Sequence, residues 1–124
     1  MTKAKIAIVD DEVDFLDVLQ IFIEDDPGFA EFEIRFYSSG QACLKEIREM
    51  DYLLTDVNMP NMDGYQLIME AKKIHPELKT SVMSAYGDDL NREKARRMGT
   101  LSYFVKPLDF DVIRIHLSSV FKSL

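Results

Sequence analysis

The chain of 124 residues is 47% hydrophobic and 30% charged, enough for one compact domain with its own core and too little for two. Fifteen lysines and arginines against 22 aspartates and glutamates give a net charge of −7, which argues against direct binding to nucleic acid or an anionic membrane. The single Cys43 excludes an internal disulfide, no apolar run approaches the roughly 20 residues that span a bilayer, and the start has no signal-peptide core, so a cytoplasmic location is expected.

In chain order, the first apolar run, Ile6 to Val9, shows no polar alternation, as expected of a strand buried on both faces of a parallel sheet. Asp10, Asp11 and Glu12 follow it, and a helical pattern covers 12–25. Eight of the eleven residues from Val13 to Ile23 are apolar, more than one helical face needs. Phe15, Val18, Leu19, Phe22 and Ile23 form a coherent buried stripe, which leaves Val13, Leu16 and Ile21 over. Pro27-Gly28 punctuates the chain before a second strand at Phe32 to Tyr37, then Ser38, Ser39 and a helix over 39–49, in which Cys43 reads as a small buried hydrophobe.

A third strand, Tyr52 to Thr55, ends at Asp56, and a loop through Pro60 leads to a helix over 64–74 that stops near His75-Pro76. The fourth strand, Thr80 to Ser84, precedes a helix over 88–98. There Arg92, Lys94, Arg96 and Arg97 stand against Asp88, Asp89 and Glu93, either an output surface or, the favoured reading, a solvated charged face. The fifth strand, Leu101 to Val105, runs into Lys106-Pro107. The last helix, over 109–123, has a core stripe of Phe110, Ile113, Leu117, Val120, Phe121 and Leu124, with Val112 and Ile115 as candidates for a dimer contact formed on activation.

Five strands alternating with five helices make a doubly wound α/β pattern. Right-handed crossovers bring every strand's carboxyl end to one edge, where ligands sit. The polar residues delivered there are Asp10, Asp11, Asp56, Ser84 and Lys106. Converging carboxylates repel one another, and a hard divalent cation relieves that repulsion; oxygen donors without His or Cys favour Mg²⁺. With a lysine as point charge and a hydroxyl donor, the set suits phosphoryl transfer, and an Asp carboxylate can be the nucleophile. In isolation each residue has a plainer reading: an Asp as helix N-cap, Lys106 as a solvated cation, Ser84 as a backbone-bonded turn residue. Their joint arrival at four strand ends favours the chemistry. Residues 1–33 carry −8 and the remainder +1, so the acidity is concentrated where two of these carboxylates lie.

At these residues the chain resembles the receiver domains of two-component response regulators. The resemblance rests on Val9-Asp10-Asp11-Glu12, Asp56-Val57-Asn58-Met59-Pro60-Asn61-Met62-Asp63-Gly64, Ser84-Ala85-Tyr86-Gly87 and Tyr103-Phe104-Val105-Lys106-Pro107. It covers essentially the whole chain, 1–124, as one receiver domain. It implies a flavodoxin-like five-stranded parallel sheet of order 2-1-3-4-5. It further implies that Asp56 accepts a phosphoryl group from a phosphohistidine on a histidine kinase or histidine phosphotransferase. Mg²⁺, or Mn²⁺ in its place, would be held by Asp10, Asp11, Asp56 and the backbone carbonyl of Asn58, with Lys106 paired to the phosphoryl group. Ser84 and Tyr103 would be the switch that reshapes the surface of the fourth helix, fifth strand and fifth helix. Asn58 and Tyr86 would tune the lifetime of the phosphoaspartate, Tyr86 either shielding the acyl phosphate or pointing to solvent. The resemblance also implies a cis Lys106-Pro107 peptide, and Leu16 is expected to contact the helices of the phosphodonor. Ser84 where Thr is more frequent, Thr55 before Asp56, and Met50 where a Pro often stands depart from the family's common pattern.

The protein is expected to be a phosphoacceptor without a separate turnover substrate. Its expected partners are the phosphodonor and a downstream target or output domain, and its expected state is a monomer or a weak phosphorylation-dependent dimer. A free-standing receiver is preferred to the receiver of a longer DNA-binding regulator, since numbering begins at Met1 and no linker follows. A metal-dependent aspartyl phosphatase would need a second Asp two residues after its nucleophile, whereas Asp10 and Asp11 are adjacent and position 12 is Glu. An unphosphorylated interaction module would be expected to have lost some of the five key residues, and a flavin carrier needs a Ser/Thr/Gly-rich phosphate loop that is missing after the first strand.

Overall fold

The computed structural model describes residues 3–87 and 89–122. Five strands, β1 (Ala4–Val9), β2 (Phe32–Tyr37), β3 (Tyr52–Asp56), β4 (Lys79–Ser84) and β5 (Tyr103–Val105), form one sheet of order β2-β1-β3-β4-β5, every pair parallel. Between and after them lie α1 (Val13–Asp25), α2 (Gly40–Leu44), α3 (Gly64–Ile74), α4 (Asp89–Arg97) and α5 (Phe110–Val120). This is the expected doubly wound arrangement.

β1 and β3 lack polar alternation because both faces of the sheet are covered there, whereas the edge strand β2 alternates Phe32, Glu33, Ile34, Arg35 and Phe36. Ala7, Val9, Leu53 and Val82 point into a core with Cys43, Leu67, Ile68 and Ala95 of α2, α3 and α4. Ile6, Ile8, Leu54 and Met83 point the other way, onto Leu16, Leu19, Ile23, Ile113 and Leu117 of α1 and α5. Cys43 is fully buried, and burial pushes its thiol up to about 12, so it acts as a small hydrophobe.

The buried face of α1 is rotated from the expected stripe. Leu16, Leu19 and Ile23 are buried, while Val18 and Phe22 are about half exposed, with Phe22 stacked on Phe110 at 4.7 Å. Eight apolar residues in eleven leave the phase of the helix undetermined, and contact with the sheet decides it. Leu16, at 6% exposure, is therefore a core residue and not a docking contact. Burying a leucine is worth about 1.5–3 kcal/mol, which keeps it inside. The exposed apolar residues on α1 are Val13, Val18, Ile21 and Phe22.

The helix expected over 39–49 is instead α2 followed by a 3-10 turn, Ile47–Glu49. Beyond Leu44 the backbone bonds tighten to three-residue spacing, as in Glu46 N–H to Cys43 and Glu49 N–H to Glu46. At the break the Glu46 carboxylate accepts from the Tyr37 hydroxyl and lies 3.5 Å from Arg35, while Ile47 drops fully into the core. Strand β5 is shorter than expected, although Leu101 N–H still reaches the Thr80 carbonyl at 2.7 Å. In the last helix Ile113 and Leu117 are buried, and Leu124 lies outside the described residues. Among the described residues no helix is long and apolar enough to cross a membrane.

Candidate functional site

The parallel sheet delivers its strand ends to one edge, and three of the expected residues meet there in direct contact. Asp10 follows β1 and is completely buried; Asp56 ends β3 at 5% exposure. Lys106 follows β5, and its Nζ donates to Asp10 Oδ2 at 2.6 Å and lies 3.1 Å from Asp56 Oδ1. A cis Lys106-Pro107 peptide follows, and Lys106 N–H is tied to the Ser84 carbonyl at 2.8 Å. Asp10 also accepts from Glu12 N–H at 2.9 Å, which fixes the approach to α1. The N-cap residue Glu12 itself makes no side-chain cap, so Asp10 combines a turn-forming role with its ion pair.

Gly64, at the start of α3, explains how Asp56 is placed. Its N–H binds the Val57 carbonyl at 2.9 Å, and a Cβ there would sit 2.2 Å from the Asp56 carbonyl oxygen. Only glycine allows that approach. Asp63 caps α3 in a reciprocal box with Gln66, which anchors the far end of the loop. Thr55, fully buried, donates to the Asp56 carbonyl at 3.0 Å, so the unusual residue before Asp56 steadies the same peptide.

Carboxylate oxygens of Asp10, Asp11 and Asp56 lie within 4.8 Å of one another, with Asp11 exposed on the solvent side. An oxygen-only donor set with one open face fits a small hard cation. Asn58, two residues past Asp56, is exposed on the β3–α3 loop. Burial and the adjacent Asp10 charge push the Asp56 carboxyl up to about 6, against the pull of Lys106. Burial works against the Lys106 charge, but its bonds to Asp10 and Asp56 outweigh that and leave its pKa above the ordinary lysine value.

Ser84 and Tyr103 form a second group. Ser84 pairs with Val105, one residue beyond the Met83 that pairs with Asp56, so it stands on the same edge. It is 1% exposed, and its Oγ accepts from Tyr86 N–H at 3.1 Å. That is the backbone-bonded turn arrangement, and it leaves the hydroxyl proton available. The Tyr103 hydroxyl donates to the Tyr86 carbonyl. The Arg92 guanidinium lies 5.1 Å over the Tyr103 ring. Tyr86 is 63% exposed. Arg96 and Arg97 are occupied by Glu93, as a solvated charged face requires, and Asp88 lies outside the described residues.

Contacts not foreseen from the sequence include the Thr55 bond, the close approach at Gly64, Phe15 over Lys106 at 4.5 Å and Arg92 over Tyr103. The unusual Thr55 was the available signal for the first. The histidines serve structure: His75 meets the Met50 carbonyl at 3.0 Å, and His116 meets the Tyr52 hydroxyl at 2.7 Å, with burial lowering the His116 pKa.

The sequence matches the response regulator receiver domain over residues 6–118. The chain belongs to that family. It is 30% identical over 117 residues to sporulation initiation phosphotransferase F of Bacillus subtilis, covering 92% of this chain and 90% of that protein. It is 31% identical over 118 residues to the transcriptional regulatory protein ZraR of Klebsiella oxytoca, covering 94% of this chain but 26% of that protein. The receiver thus spans about a quarter of the length of such regulators. A response regulator receiver domain from Clostridium thermocellum superposes with a TM-score of 0.80 at 28% identity, covering 94% of this chain and 92% of the other. A CheY-like receiver from Methanospirillum hungatei superposes at 0.82, with 23% identity, covering 96% and 94%. Receiver domains are phosphoacceptor switches of two-component signalling, and this chain is one of them.

Proposed function

We propose that residues 1–124 form one receiver domain in which Asp56 accepts a phosphoryl group from a phosphohistidine on a histidine kinase or histidine phosphotransferase. The observation that carries this reading is the contact of Lys106 with both Asp10 and Asp56 at the strand ends. An Asp56 carboxylate oxygen attacks phosphorus, the P–N bond to the histidine breaks, and the imidazole leaves with the bonding electrons. Asp10, Asp11, Asp56 and the Asn58 carbonyl would hold Mg²⁺, or Mn²⁺ in its place. When bound, the cation neutralises charge on the phosphoryl oxygens.

Lys106 supplies the remaining positive charge from the β5 side. Once the phosphoryl group is in place, the Ser84 hydroxyl donates to it and Oγ is pulled inward, loosening the bond from Tyr86. Tyr86 also accepts from Tyr103, so the change passes to Tyr103, Arg92 and the surface of α4, β5 and α5. Asn58 and Tyr86 set how readily water reaches the acyl phosphate. The protein is a cytoplasmic phosphoacceptor, not an enzyme with a separate turnover substrate. It works as a monomer or weak phosphorylation-dependent dimer, and the exposed Val112 and Ile115 suit the dimer contact.

The test is incubation with phosphoramidate with and without Mg²⁺, followed by intact mass. Wild type should gain one phosphoryl group only with Mg²⁺, and Asp56→Asn should gain none; an undiminished adduct in Asp56→Asn refutes the acceptor. A second reading, the receiver of a longer DNA-binding regulator, is favoured by the coverage of ZraR, whereas the 90% coverage of the sporulation phosphotransferase favours a stand-alone relay protein. The size of the native polypeptide on an immunoblot separates them.

A further inference from the structure

The Lys106 ammonium has a neighbour that is neither an acid nor a phosphate ligand. The ring of Phe15, in the first turn of α1, lies over Nζ at 4.5 Å to its centroid. The ring is half-buried and packs against the apolar cluster between the sheet and α1/α5, so the core holds it from behind. We propose that Phe15 is a positioning residue for phosphoryl transfer: its ring face holds the Lys106 ammonium beside Asp56 and keeps water from it. This deepens the assignment of Asp56 as acceptor and rests on it.

An ammonium has three donors on a flexible four-carbon stem. Here one reaches Asp10 at 2.6 Å and another faces Asp56 at 3.1 Å, while Glu12, at 3.8 Å, is beyond hydrogen-bond distance. Asp10 is fully buried and draws the ammonium inward. When Asp56 becomes an acyl phosphate, negative charge moves outward onto the phosphoryl oxygens, and Lys106 must follow. A π face attracts the cation without fixing it to one oxygen, which a saturated side chain of similar bulk cannot do. The Lys106 side chain is only 14% exposed, so the ammonium sits in a largely enclosed place where such a contact counts for more than in open water.

The test uses the full chain, Mg²⁺ and phosphoramidate. Asp56 forms the O–P bond as the P–N bond breaks, and nitrogen leaves as neutral ammonia because the phosphoramidate amine is already protonated. Phe15→Leu, or Phe15→Met should the first fail to fold, should lower the labelling rate at saturating donor by about five-fold, the scale of a partly desolvated cation–π contact. Phe15→Tyr should restore it to within about two-fold, since the π face is kept. The Lys106 ε-CH₂ protons should show an upfield ring-current shift in wild type and Phe15→Tyr that is lost in the aliphatic variant. Unchanged rates in the aliphatic variant overturn the proposal, and so does equal loss in the aliphatic and tyrosine variants, which marks a merely structural role. Failure of wild type to be labelled, or full labelling of Asp56→Asn, would instead overturn the acceptor assignment, leaving the ring-current shift to report on the Phe15 contact alone.

Discussion

The two halves of the site are built differently. Asp10, Asp56 and Lys106 form a buried, ion-paired unit held by Gly64 and Thr55. The Ser84–Tyr86–Tyr103–Arg92 chain hangs on two hydrogen bonds to one backbone residue and a cation stacked on a ring at the surface. Chemistry needs fixed geometry, whereas a switch needs an element whose alternatives lie within a few kcal/mol. Replacing Lys106 or Gly64 in the first half should therefore cost stability and labelling together, and substitutions in the second should change signalling with little of either.

The strongest challenge to that contrast is Lys106→Met. It strands the fully buried Asp10 carboxylate, and stability should fall by about 3 kcal/mol, read by urea unfolding, with phosphoramidate labelling lost. Gly64→Ala forces a methyl against the Asp56 carbonyl and should cost about 2–3 kcal/mol, with slower labelling because the acceptor moves. Neither loss would be expected if the charged half were as loose as the switch.

Asp56→Asn should act in the opposite direction without divalent ions. The native carboxyl titrates near 6, above the ordinary range, so between about pH 4 and 6 the folded state holds the proton more tightly and stability falls as pH rises. At pH 7 the variant should be more stable than wild type by about 1–2 kcal/mol, and the gap should shrink at pH 5, where Asp56 is already protonated. Thermal melts at the two pH values check this.

In the second half, Tyr103→Phe should cost about 1 kcal/mol at most and leave labelling by a small donor within about two-fold, while blocking the transmitted change. Arg92→Ala should cost about 0.5 kcal/mol, detected as a shift of the Tyr103 ring protons. A large loss of labelling in either would erase the distinction between chemistry and switch.

Much of the architecture was legible in the sequence, because strands covered on both faces read as unbroken apolar runs and Gly and Pro mark their ends. The phase of α1 was not, since its surplus of apolar residues gives periodicity no preferred face, and Leu16 went inside. Nor was the break after α2, which accompanies contacts from Tyr37 and Arg35 on β2. The charged residues of the site could be inferred because topology alone carries strand ends to one edge. Phe15 over Lys106 and Arg92 over Tyr103 could not, because they join residues about ninety and eleven positions apart through side chains whose directions only packing fixes.

The central claim is tested most directly by locating the phosphoryl group. After phosphorylation with Mg²⁺ and phosphoramidate, borohydride reduces an aspartyl phosphate to homoserine, which peptide mass spectrometry places in the chain. Homoserine at position 56 alone is the expected result. Homoserine at position 10 or 11, or a phosphoryl group retained on Ser84 or a histidine, would contradict it.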